Sequence, residues 1–503
     1  MSLFMGMLDN TVVNTALPTI SARLAAGVSD LQWILDGYRL SLAALTLTAS
    51  TVGDLYGRRR IFIGGLLLFA AGSACCALSD SVGTLIAGRI AQGTGAAAFL
   101  PATLSIIRQV FTDERERAVA IGVWAGVSGL GLGLGPLIGG PLVDNFGWPS
   151  VFWINVPIGL AGSAAAMLIP ESSDRGGRSI DIGGQLLAIA GIGGLVFATI
   201  EGPARGWQDP AVLGCYCGAA IVLAAFVILE RRSHSPLLDL ELLQDRIFTG
   251  SVLSGLFLYF GMFSVLYFLS LWLQQVLGWS ATGAGLAIMP AMVVVAAVTP
   301  VAGYLSGRFG GGLPMVAGLL VSAVALLGLT HFGTDASYHD FWWLLPVIGL
   351  GMGLTLTPIT ATVLSRVPAQ RAGMGSAVST TARELGGVLG VAALGSLLTA
   401  KLTGQLHQTL RSLGLGPAEI ATAISGQSRS GSPDLAASGQ SPQVHRAVLA
   451  AYVQGLHTAE YAGAAVLLLA ALLAVALVRT GRDVGPDDEP AGILSEPSAE
   501  PAR

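Results

Sequence analysis

Charge is what this sequence has least of. Asp, Glu, Lys and Arg together make up 11% of its 503 residues, against about a quarter in an ordinary soluble domain. So little charge could not cover the surface of a soluble fold of this length, and a water-soluble protein is excluded. Lysine is nearly missing, with Lys401 alone beside 25 arginines, a bias that reflects coding more than function. The four cysteines fall in two local pairs, Cys75–Cys76 and Cys215–Cys217. Neither pair has zinc or redox spacing, so small buried side chains are expected there and no metal site. HExxH, P-loop and clustered-histidine patterns are all missing, and no soluble output domain is in view, which argues against a membrane enzyme or a sensor. No cleavable signal peptide is convincing either, because the first apolar run lacks a basic lead and carries Asp9 in its middle. The net charge of −4 offers nothing to nucleic acid.

What the chain has in abundance is apolar sequence, 53% of all residues, with a mean hydropathy of +0.69 and 68 glycines. One bilayer span needs about 20 mostly apolar residues. Fourteen such runs follow one another, near 1–20, 32–53, 61–79, 84–109, 118–142, 149–169, 182–200, 211–229, 247–273, 282–305, 314–332, 341–364, 372–398 and 459–479. The fold class is therefore an all-α polytopic membrane protein with fourteen spans. The first run begins at Met1 with no lead, so either the natural start lies upstream or helix one is short.

Basic residues in short connections set orientation. With the N-terminus inside, the inner connections hold fourteen arginines, Arg58, Arg59 and Arg60 among them, and the short outer ones only Arg23 and Arg205. Both termini are thus expected in the cytoplasm, with the chain in the plasma membrane. A Gly/Ser/Gln-rich outer segment at 399–457 is expected to be a mobile loop with short amphipathic helices at its ends. The acidic, Pro-rich tail 481–503 is expected to be disordered.

An internal repeat organises the spans. GDLYGRRR (53–60) returns as GYLSGRFG (303–310), and GTGAAAFLPATLSIIR (93–108) as GMGLTLTPITATVLSR (351–366), at offsets of 250–258 residues. Setting aside the pair within 171–246, each half holds six spans: 1–170, and 247–480. Two parallel six-helix halves around a midplane cavity suit a transporter. The echo also predicts one turn shared by both halves, with its charge kept only in the first.

GDLYGRRRIFIGG couples a tight turn at Gly53 and Gly57 with an acid, Asp54, able to meet a helix N-terminus or basic groups across the seam. Arg58 and Arg59 would hold that turn at headgroup level. This stretch resembles the signature loop of the major facilitator superfamily, which implies a gating role. In GLGLGPLIGGP (131–141), the glycines Gly131, Gly135, Gly139 and Gly140 strip side chains from one helix face, and Pro136 removes a backbone bond. That motif resembles the one typical of the superfamily's antiporters and implies export rather than uptake. LDNTVVNTALPTI (8–20) and GWPSVFWINVPIG (147–159) resemble segments of the fourteen-helix drug:proton antiporters. Pro149 and Ser150 stand there where that branch usually has Arg-Trp. The resemblance covers nearly the whole chain and implies a major facilitator fold with two inserted central helices.

Ionisable groups at membrane depth default to function. Asp9 lies mid-span in helix one. Asp36 and Arg39 share a face of helix two at i, i+3. Arg89 lies in helix four, where it matches the superfamily's buried arginine, and Arg383 and Glu384 lie in helix thirteen. A proton-driven exporter needs a carboxylate whose protonation responds to burial and to an approaching cation. Asp9 fits best and Asp36 second, with Arg89 tuning the acid. Asn14, Trp124 and Tyr267 join Asp9 and Asp36 as candidate substrate contacts, the aromatics for stacking on a flat molecule. The expected function is efflux of amphipathic or lipophilic drugs by proton antiport, driven by the proton motive force without a bound cofactor. A dedicated exporter of one endogenous metabolite or self-made antibiotic shares every motif. The expected partners are a small-molecule substrate, protons and the bilayer, and the expected state is a monomer.

Overall fold

In hydrocarbon every backbone N–H and C=O must be satisfied within the chain, so apolar runs of this length have to become helices. The computed structural model describes residues 1–110, 127, 130–131, 134–171, 181–233, 240–367, 372–412 and 442–478. Wherever it is described, each apolar run falls on helix. Trp124, the segment 413–441, the tail 481–503 and the side chain of Asp54 lie outside the described residues.

The first half comprises α1 (Ser2–Leu24), α2 (Val28–Tyr56), α3 (Arg58–Ala77), α4 (Val82–Val110), α5 (134–146), and α6 (Ser150–Trp153) leading into α7 (Asn155–Ala166). An antiparallel pair follows, α8 (Ile182–Arg205) and α9 (Pro210–Glu230). The second half holds α10 (Arg246–Leu271), α11 (Ala281–Phe309), α12 (Gly312–Leu329), α13 (Tyr338–Phe341), α14 (Leu344–Ser365), α15 (Ala372–Ser412) and α16 (Pro442–Leu477). A π-turn at Trp272–Val276 extends α10. Nine helices among the described residues are long and apolar enough to cross a membrane. Short polar side chains start several of them: Asp181, Asp209, Asp245 and Ser280 each accept a first-turn backbone N–H.

Small residues set the packing, because apolar attraction between helices vanishes when the solvent is itself apolar. In the first half α3 lies against α4 along Gly65, Gly72, Gly88 and Gly95, where an added Cβ would meet the facing helix. Phe62, Phe69, Phe99 and Tyr38 fill the space beside them in edge-to-face pairs.

Three expectations are corrected. The turn of the echo is not shared: α2 ends at Tyr56 with Gly57 at φ 114°, whereas α11 runs to Phe309 and turns at Gly310, φ 82°. Gly307, the counterpart of Gly57, remains helical, so the second half carries one more turn of helix. The ends of 399–457 are not separate short helices. They continue α15 and α16, and α15 with its 41 residues spans about 60 Å at 1.5 Å per residue. Cys217 is exposed and only Cys76 is buried, since α9 has few protein neighbours and turns most of its surface outward.

Candidate functional site

Asp9, 0% exposed, is held from three sides. Arg89 on α4 donates Nη1 to Oδ2 at 2.6 Å, Gln92 donates Nε2 to Oδ1 at 3.1 Å, and Asn155 at the start of α7 donates Nδ2 to Oδ1 at 2.7 Å. Arg89, itself 1% exposed, also donates to Gln92 Oε1 at 2.8 Å and to the Ile34 carbonyl at 3.0 Å, with its guanidinium 4.5 Å from the Tyr38 ring. Gln92 closes the network on Ser73 of α3 at 2.7 Å. The sequence places Asp9 mid-span in an apolar run; the structure surrounds it with a polar network uniting α1, α2, α3, α4 and α7. Such a network lets a buried ion pair persist, since both Asp9 oxygens accept hydrogen bonds and Arg89 donates to three acceptors.

Asp36 stands in contrast. It is fully buried, and neither carboxylate oxygen has a hydrogen-bond partner. Arg39, one turn on, reaches Asn10 Oδ1 through Nε at 3.4 Å. Asn10 follows Asp9, so the two charged pairs are neighbours in α1 and α2. Glu384 of α15 is buried within electrostatic reach of Arg39, and Arg383 turns to the Tyr259 ring at 5.7 Å.

Of the predicted substrate contacts, Asn14 and Asp36 of the first half come near the second half at Ser270 and Tyr267. The Asn14 carbonyl accepts from Ser270 Oγ of α10 at 3.2 Å. One turn away, the buried Tyr267 lies within electrostatic reach of Asp36 and of Tyr452 on α16. Asn14 Oδ1 and the hydroxyls of Tyr38, Tyr267 and Tyr452 are buried without a hydrogen-bond partner. Buried polar atoms are normally paired, so these four stand out as exceptions. Trp272 is instead packed on Phe341 at 5.2 Å.

The glycine motif of α5 does what stripped helix faces do. Side chains added at Gly131, Gly135 or Gly139 would strike α1 at Met7, Thr11 or Thr15. One added at Gly140 would strike the backbone of Ala281 and Thr282 on α11, while Gly285 sits on the Pro136 carbonyl. Asp144 Oδ2 accepts from the Thr282 N–H at 3.0 Å. Gln32 Nε2 bonds the Val391 carbonyl, and Thr381 Oγ1 the Ala43 carbonyl, both at 3.1 Å. The Asp144–Thr282 and Gln32–Val391 bonds fall toward the end of the molecule opposite Arg58–Arg60, whereas the Thr381–Ala43 bond lies near the middle of α2. At the turn between α5 and α6, Ser150 donates to the Leu142 and Gly147 carbonyls at 2.9 and 2.6 Å.

The α8 helix lies across the seam. Glu201 accepts from Ser29 at 3.0 Å and Trp33 at 3.2 Å, and Gln185 bonds the Ala44 carbonyl and Thr48. Its Val196 and Ile200 pack on Val388 and Ala392 of α15. Among the described residues, polar bonds tie α8 to the first half and apolar contact ties it to the second.

Sequence reasoning missed Glu171, which follows α7. It accepts the Arg59 N–H at 3.0 Å, sits 3.7 and 3.6 Å from the Arg59 and Arg60 Nε, and lies where a Gly57 Cβ would be. Gly53 packs lightly on Ile61, and Arg58 opens α3 half-buried. Glu171→Ala is expected to lower turnover several-fold while leaving substrate affinity near wild type, because it frees the α2–α3 turn without touching the seam. Initial efflux rates against a binding isotherm check this; lost affinity at unchanged turnover would contradict it.

The model of the Major Facilitator Superfamily matches residues 1–391. "Multidrug resistance protein Stp" of Mycobacterium tuberculosis (strain CDC 1551 / Oshkosh) is 39% identical over 411 residues, covering 82% of this chain and 76% of the relative. "Tetracenomycin C resistance and export protein" of Streptomyces glaucescens is 34% identical over 399 residues, 78% and 74% of the two chains. Among solved structures, a bacterial homolog of the human lysosomal transporter Spinster superposes with a TM-score of 0.65 at 18% identity, over 96% of this chain and 97% of that one.

Proposed function

Because this chain belongs to the Major Facilitator Superfamily, a family of transporters and not of enzymes, we propose that it exports drugs or antibiotics across the plasma membrane by proton antiport. Fourteen spans with both termini in the cytoplasm complete the reading, as in the fourteen-helix drug:proton antiporter branch. One observation carries the mechanism: two buried carboxylates, on α1 and α2, are in opposite condition. Asp9 is neutralised by Arg89 at 2.6 Å, while Asp36 has no hydrogen-bond partner for either oxygen.

A bare carboxylate without hydrogen bonds is costly in a low-dielectric interior, so Asp36 is the acid placed to carry a proton in this state. Opening the seam would hydrate it and release the proton. Arg39, shared with Asn10 beside Asp9, couples the two acids. Asn14 and Tyr267 supply the rest of a midplane site whose substrate is amphipathic. In this topology the seam bonds near Thr282 and Val391 lie at the outer face, so the state is closed outside. Alternating access would rock α1–α7 against α10–α16 about this site, with Gly53, Asp54, Gly57, Arg58 and Arg59 gating the cytoplasmic end and Gly131, Gly135, Pro136, Gly139 and Gly140 the outer seam.

Efflux of a panel of lipophilic cations and neutral antibiotics, with and without a proton uncoupler, tests the reading. Uncoupler-sensitive extrusion of several chemically distinct compounds is the expected result; extrusion indifferent to the uncoupler would refute proton coupling. A second reading, export of one self-made antibiotic, draws on the relative named for tetracenomycin C export. Extrusion of a single compound in the panel would select it.

A further inference from the structure

The face of the first half away from the seam carries a cavity along α3. It measures about 420 Å³ and is lined by Arg59, Arg60, Ile63, Gly64, Leu67 and Met167. Two guanidinium groups stand at its mouth, and the floor is wholly apolar. From Arg59 to Leu67 the groove follows α3 for eight residues, about 12 Å at 1.5 Å per residue. Since α3 is a membrane helix that starts at Arg58, this runs from headgroup level well into the acyl region.

The charge there is unbalanced. Among the described residues, Arg59 and Arg60 share one carboxylate, Glu171, and Arg60 meets it through Nε at 3.6 Å with three quarters of its side chain exposed. Arg59 is anchored by the Ile169 carbonyl at 2.9 Å, which fixes its guanidinium at the groove's edge. Deeper in, Leu67 is 44% and Met167 65% exposed, and nothing comes within 4 Å of where a Gly64 Cβ would be. A missing side chain on a lipid-facing helix leaves a slot one acyl chain wide.

We propose that this groove binds an anionic phospholipid from the leaflet that contains Arg58–Arg60, its phosphate on Arg59 and Arg60 and one acyl chain along Gly64, Leu67 and Met167. Both parts are needed: the arginines supply headgroup charge recognition, and the slot supplies the apolar contact a free anion cannot use. The site rests only on α3 crossing the bilayer and stands whether or not the chain exports drugs. By loading Arg59 and Arg60 the lipid would compete with Glu171 for them, and so bear on the α2–α3 turn.

The test is native mass spectrometry of the purified full-length protein with palmitoyl-oleoyl phosphatidylglycerol or phosphatidylcholine. Phosphatidylglycerol should be retained in preference, and Arg60→Gln should weaken it about fivefold, the effect of one basic residue at a membrane surface. Gly64→Leu fills the slot without a clash and should remove one bound lipid while every charge stays in place. Millimolar sn-glycerol 3-phosphate should not displace the lipid. Equal retention of both lipids, full retention in Gly64→Leu, or displacement by glycerol phosphate would each overturn the proposal, the last by identifying a site for a free phosphate.

Discussion

Asp9→Asn is expected to abolish proton-driven efflux, and the geometry says how to separate that loss from misfolding. Asp9 accepts from Arg89, Gln92 and Asn155. An asparagine would keep one acceptor oxygen and point an amide donor at these donors. It would also strand Arg89, which is 1% exposed, and breaking a buried pair by removing one partner costs about 3–5 kcal/mol. The single variant should therefore express poorly as well as lose coupling. Asp9→Asn combined with Arg89→Gln removes both charges and should recover expression and thermal stability. Drug gradients in energised vesicles should stay absent in both variants, while downhill substrate exchange, which needs no proton, should persist in the double one. A wild-type gradient in the folded double variant would exclude Asp9 from proton coupling and leave Asp36 to carry it alone.

That experiment also marks where the sequence was legible. Charge rarity made Asp9, Asp36 and Arg89 stand out, because an ionisable residue inside an apolar run is conspicuous whatever surrounds it. Their environment was not, since it depends on which helices meet. Gln92 is three residues from Arg89 and Asn155 lies within the quoted FWINVPIG, but neutral amides in apolar runs carry no comparable signal. Glu171 was read as part of a polar connection, and only the return of α7 beside the α2–α3 turn gives it Arg59 and Arg60. Glu460 is the plainest omission. It lies at the edge of the last apolar run, where an acid passes for a boundary residue, yet α16 extends two turns or more beyond and buries it. The repeat sets Gly307 against Gly57, but the turn itself lies at Gly310. Turn position depends on what packs against the loop, and in the first half that is Glu171 from a distant part of the chain.

Gly140→Val should stop the transport cycle by wedging one seam. A Cβ at Gly140 would meet the backbone of Ala281 and Thr282 on α11, and backbone cannot swing aside as a side chain can. Overpacking of this kind costs about 1–3 kcal/mol, which shifts a two-state equilibrium about 5–150-fold. The outward-closed arrangement would lose that population, and efflux should fall at least about fivefold while the protein stays folded with its substrate contacts intact. Cysteines placed at Asp144 and Thr282, whose carboxylate and N–H are 3.0 Å apart, report the seam directly: their crosslinking should be fast in the parent and slow once Gly140→Val is added. Gly214→Val on α9, where nothing lies within 4 Å, is the control for adding a branched residue to a membrane helix and should leave both readouts unchanged. Normal efflux together with fast crosslinking in Gly140→Val would mean that α5 and α11 need not press together during transport, and the glycine face would then be a packing surface with no part in the gate.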